Sequence, residues 1–232
     1  MWPQDPMTNV LFALRWLHFL AGITWIGMLY FFNLVNVKFM KELDAATKGK
    51  VVPNLMPKAL WWFRWGAFWT VLAGFLLHLS TVTSESHGLP MFFWIWLVVV
   101  LAAFTIGTWL FTAFKKDGRM LFAAYLILMI VMATVLWKVH ASANTSWKVL
   151  AIAIGGGMGI IMFMNVWMII WPLQKKIIAA TKAQAESGTA PPAEMPAWAR
   201  RAFLASRTNA WLSVIMLFYM GAASHFPIGI GK

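Results

Sequence analysis

Long apolar runs broken by short polar ones dominate the chain. Six runs stand out, over about 10–35, 60–82, 90–114, 120–139, 149–171 and 209–223. Most of these runs, read as helices, are long enough to cross roughly 30 Å of hydrocarbon. The last is short unless its helix begins near Ala202, which would put Arg207 at a helix end. Charge alternates between the connecting loops. If the N-terminal side is called A and the opposite side B, the first B loop holds Lys38, Lys41, Lys48, Lys50 and Lys58, and the second holds Lys115, Lys116 and Arg119. The third holds Lys175, Lys176, Lys182, Arg200, Arg201 and Arg207. On side A, the loop 83–89 has no Lys or Arg, and the next has only Lys138 and Lys148 at helix ends. The positive-inside rule makes B cytoplasmic and A periplasmic. The expected fold is an all-α, polytopic transmembrane bundle of about six spans with both termini on the periplasmic side. It forms a single integral membrane domain over 1–232, with a cytoplasmic linker at 173–202. Within the last B loop, 195–205 carries Trp198 and Phe203 among Arg200 and Arg201, the pattern of a short interfacial helix.

Composition agrees with this class: 61% of residues are hydrophobic and 11% charged, too little polar surface for a soluble domain. The net charge of +12 follows from the B loops and points to anionic membrane lipids, not to nucleic acid. The N-terminus has no basic n-region and no cleavage site, so the first apolar run is expected to stay as a helix. Cysteine is absent, which excludes thiolate metal sites, iron–sulfur clusters and covalently attached c-type haem on this sequence.

Four of the five histidines, His18, His78, His140 and His225, belong to four different runs, and reversal of successive helices puts all of them toward side A. His18 lies about eight residues into its span, roughly 12 Å deep, and His78 about four residues short of its exit, roughly 6 Å deep. Ionisable groups at such depth are costly and point to function by default. Imidazoles from several helices suit a metal or a haem. One or two b-type haems are expected, with His18 and His78 as leading iron ligands and His140 and His225 in reserve. The competing reading leaves His140 and His225 in water at the interface, where His87 is also placed.

Gly22 follows His18 by four residues and Gly74 precedes His78 by four, so each glycine shares its histidine's face. Such gaps give room either to a macrocycle or to a neighbouring helix. Arg15, one turn outward from His18, suits either a haem propionate or a lipid phosphate. The glycines at 155, 156, 157 and 159 lack the lysine and strand of a phosphate loop, and a close helix contact is the better reading. Asn165 is expected to bond across to another helix. No span holds paired carboxylates, and no H-E-x-x-H, G-x-S-x-G or dinucleotide fingerprint occurs.

The run Arg15-Trp16-Leu17-His18-Phe19-Leu20-Ala21-Gly22-Ile23-Thr24-Trp25-Ile26-Gly27 resembles the first helix of the bacterial membrane-bound urate oxidase (urate hydroxylase) N-terminal family. Trp62-Phe63-Arg64-Trp65 with Gly74, Asn165-Val166 through Pro172 to Lys176, Ser206-Arg207-Thr208-Asn209 and Ser224-His225-Phe226-Pro227 extend the resemblance over most of the chain. It implies an inner-membrane oxidoreductase component working with a periplasmic c-type cytochrome, which the family carries as a fused C-terminal domain. This sequence has no C-x-x-C-H, so a separate cytochrome subunit is expected. Three functions follow: a haem b electron-transfer subunit within a larger redox complex, an oxidase of urate or a similar small molecule, or a cofactor-free structural subunit.

Overall fold

The computed structural model describes residues 5–86 and 88–226. Among these the chain forms six long helices and no strand: α1 (Pro6–Glu42), α2 (Ala45–Ser86), α3 (Met91–Ala113), α4 (Gly118–Ser142), α5 (Trp147–Ser187) and α6 (Met195–His225). The first five are long and apolar enough to cross a membrane. The sixth is 31 residues long but less apolar, because its first turns carry Arg200, Arg201 and Arg207; it also turns polar Asn209 and Ser213 inward.

Helix termini explain several boundaries. Asp5 accepts hydrogen bonds from the N–H groups of Met7 and Thr8, Asp117 from those of Arg119 and Met120, and Ser146 from that of Val149. Asp44 takes the N–H and hydroxyl of Thr47, bonds that hold its carboxyl below the usual range. Gly188, left-handed at φ 66°, ends α5.

Two helices overrun the apolar lengths expected from sequence. At 1.5 Å per residue, α2 with 42 residues and α5 with 41 each exceed roughly 60 Å, twice the hydrocarbon thickness. Their basic ends pair outside the spanning region, where a Cβ on Gly49 would stand 2.9 Å from the Ala185 Cβ. Pro53 and Pro57 lie inside α2, which continues through both. The stretch read as a linker over 173–202 is therefore helical as far as Ser187, and the break is confined to 188–194. Residues 195–205 are the first turns of α6, with Ala202, Leu204 and Ala205 buried.

Neighbours alternate in direction. Along α1 and α2, Phe32 meets Phe63 and His18 meets Gly74. Between α3 and α4, Phe92 meets His140 and Phe111 meets Tyr125. Between α5 and α6, Gly155 meets Tyr219 and Asn165 meets Asn209. The centre is α5: 72% of its most apolar window is buried, against 28–39% for the other four apolar helices. Its glycine run is the reason. A Cβ on Gly157 would stand 2.9 Å from Val100 Cγ2 on α3, and one on Gly155 3.0 Å from Tyr219 Cβ on α6. The run is a helix contact on two sides.

Two π-helical segments interrupt this frame, Phe31–Asn36 in α1 and Asn165–Ile170 in α5. A π turn shifts the hydrogen-bond ladder and can strand a carbonyl. Asparagine amides answer it at both places: Asn33 Nδ2 donates to Leu29 O at 2.9 Å, and Asn209 Nδ2 to Met162 O at 2.9 Å. The same amides join the helices, because Asn33 also donates to Ser206 Oγ and Asn165 donates to Asn209 Oδ1 at 2.8 Å. The bond expected of Asn165 thus has its partner on α6. Asn209→Leu strands Asn165 Nδ2 and removes the side-chain donor to the Met162 carbonyl, at a cost of about 1–2 kcal/mol. In a double-mutant cycle with Asn165→Leu, read by thermal unfolding in detergent, the pair should cost less than the sum of the singles. Additive losses would show that the two amides do not act together.

Candidate functional site: the histidine end

The rings of His18, His78 and His140 are held in different ways. His18, partly buried, points from α1 onto α2. Its Nδ1 lies 2.8 Å from the Thr70 carbonyl, and the ring lies over Gly74, where a Cβ would come within 2.7 Å of His18 Cε1. The free face of Gly74 is therefore filled by this imidazole. Gly22 faces the Thr70 side chain at 3.7 Å, an ordinary contact between α1 and α2.

His78 sits one turn beyond Gly74 and is buried. Aromatic rings of α3 surround it, Trp96 at 5.2 Å and Phe93 at 6.3 Å between ring centroids. Its Nδ1 is fully enclosed and has no hydrogen-bond partner. Trp96 in turn donates Nε1–H to the Ala153 carbonyl at 2.8 Å, so this wall is fixed to the central helix. His140, from α4, is 1% exposed, which removes the interfacial reading for that residue. Its Nδ1 lies 2.8 Å from the Leu136 carbonyl and its ring 5.0 Å from Phe92. His78 and His140 thus approach α3 on adjacent residues, Phe93 and Phe92.

The remaining expected residues fall outside this core. His225 is exposed at the end of α6, and Arg15 is exposed on α1. His87 and Pro227 lie outside the described residues. Sequence reading passes over Phe92 and Phe93 and places Trp96 in an interfacial aromatic belt, whereas its ring is buried, because one apolar run offers no sign of which rings face inward.

The imidazoles are the donor type that an imidazole-bound group would use. A backbone carbonyl at Nδ1, as at His18 and His140, fixes the ring and leaves Nε2 to bind. The orphaned Nδ1 of His78 is the kind of buried polar atom that calls for a partner. No cluster of three or more His, Asp or Glu side chains suited to a metal ion occurs among the described residues, so only single or paired imidazoles are offered.

Fold and site define a membrane-type helical bundle with buried imidazoles gathered toward one end. The family described as "Urate oxidase N-terminal" matches residues 43–232, and the chain belongs to it. The match takes in Gly74, His78, His140 and His225 and begins after the helix that carries Arg15, His18 and Gly22. No curated protein and no solved structure matches the chain.

Proposed function

We propose that the protein is the membrane-embedded redox component of a urate-oxidase-like system. It takes electrons from urate or a similar small molecule at the histidine end and delivers them to a c-type cytochrome. That end faces the periplasm of a bacterial inner membrane. The crowding of Lys and Arg at the opposite end supports this orientation. Family membership supports the reaction class. The observation that carries the reading is His78, a buried imidazole with an unpartnered nitrogen inside an aromatic wall.

A b-type haem, when bound, supplies one-electron exchange. His78 would hold it, with His140 or His18 as the second imidazole. The chain's own part is to orient the rings through the Thr70 and Leu136 carbonyls and to exclude water with Phe92, Phe93 and Trp96.

The test uses purified protein, with oxidised and reduced absorption spectra, haem extraction and urate turnover with a c-type cytochrome acceptor. Non-covalent haem bands together with urate consumption are expected. Haem without turnover would reduce the protein to an electron carrier, and turnover without haem would refute the imidazole-bound group. A colourless, inactive preparation would leave a structural subunit.

A further inference from the structure

At the end opposite the histidines, α4 and α6 diverge and leave a cavity of about 420 Å³. Its walls are apolar along most of their length, with Leu121, Phe122 and Met129 on α4 and Trp211, Val214 and Ile215 on α6. Its other end is cationic, because Arg200 and Arg207 line it. Neither guanidinium has a carboxylate partner among the described residues. Arg200 Nε donates to the Lys115 carbonyl at 3.1 Å, and Arg207 lies 5.3 Å from the Phe203 ring. Lys115 and Lys116 stand in the adjoining turn, and Arg119 in the first turn of α4. The one acid there, Asp117, is engaged by the N–H groups of Arg119 and Met120 at the start of α4.

A groove that is apolar toward the middle of the bundle and cationic at its basic end has the polarity of one molecule of an anionic lipid. Basic pockets between helices on the cytoplasmic side suit anionic headgroups, and each cation near the surface adds attraction. Trp211 and Phe122, both exposed and with ring centroids 5.5 Å apart, give a flat surface for an acyl chain. Arg200 and Arg207 would take the phosphate. The geometry points to a specific site for an anionic glycerophospholipid between α4 and α6, phosphate at Arg200 and Arg207 and one acyl chain along the groove. It is separate from the histidine end and does not depend on the function proposed for that end.

The experiment is native mass spectrometry of the full chain in detergent, titrated with phosphatidylglycerol or with phosphatidylcholine of the same acyl chains. One phosphatidylglycerol should be retained in preference to phosphatidylcholine. Arg207→Gln should weaken that retention roughly fivefold. Val214→Trp, at an exposed position, fills the groove without touching the core and should abolish retention while leaving the charge in place. It keeps the proposal open to refutation if the arginine variant fails to fold. Equal retention by the parent and Val214→Trp would overturn the site. So would competition by millimolar inorganic phosphate that fully displaces the lipid, which would mean a plain anion site. A dimer lost in Val214→Trp with lipid retention unchanged would assign the groove to a second copy and also overturn it.

Discussion

His78→Ala is expected to lower urate turnover by more than roughly 100-fold and to remove or shift the reduced haem bands. Changing a residue that merely supports a metal ligand costs 10–100-fold, so losing the ligand itself should cost more. Among the described residues, the substitution removes the one imidazole with a fully enclosed nitrogen that lacks a protein partner. It also leaves a gap against Trp96 and Phe93, so loss of packing must be separated from loss of the ligand. His78→Phe keeps the volume and the aromatic contacts. It should fold with an unfolding midpoint near that of the parent and still lack the bands. Two comparisons sharpen the result. His225→Ala, at an exposed position, should be close to the parent in both readouts. Gly74→Val, which would push the His18 ring off α2, should alter the spectrum if His18 also binds the group. Bands and turnover that survive in both His78 variants would reject the histidine end as the redox site.

Gly66→Leu is expected to give the largest loss of stability. At Gly66 the backbone of α2 lies directly against the backbone of α1. A Cβ there would stand 3.1 Å from Trp25 N, 3.3 Å from Ala21 O and 3.3 Å from Trp25 Cα. These are backbone atoms and cannot rotate away, so a larger side chain must drive the helices apart. Overpacking of this kind costs about 1–3 kcal/mol. For a chain of this size each kcal/mol lowers Tm by roughly 2–4 °C, giving a fall of about 2–12 °C, followed by Trp fluorescence in detergent. Gly66→Ala should produce a smaller shift in the same direction. Because α1 packs chiefly on α2, its displacement also carries the His18 ring away from the Thr70 carbonyl. An unchanged midpoint in Gly66→Leu would mean that α1 and α2 do not meet as described.

Pattern along the chain was enough for the class of fold. Long uninterrupted apolar runs read as membrane-type helices, since a helix satisfies its backbone hydrogen bonds within the segment and barrel strands alternate in polarity. Alternation of those helices then placed His18, His78, His140 and His225 toward one end, and the structure keeps them there. Chain pattern could not measure α2 and α5, because their basic ends are polar and are held by contacts such as Gly49 with Ala185, which depend on a partner distant in sequence. The π-helical segments were equally hidden. Their stability rests on amides reaching carbonyls across and along helices, as Asn209 does to Met162.

The candidate site divides the same way. Sequence singled out the candidate residues, since imidazoles at that depth in an apolar run are expensive and few. Only the tertiary structure decided how they are grouped. Helical period leaves a residue's facing uncertain by a large part of a turn when every position around the helix is apolar. Packing resolved it: His18 lies against Gly74, His78 and His140 close on Phe93 and Phe92, and His225 is left in the open. Residue type and depth are properties of the chain, whereas the direction of a ring is fixed by whichever neighbouring helix leaves space for it.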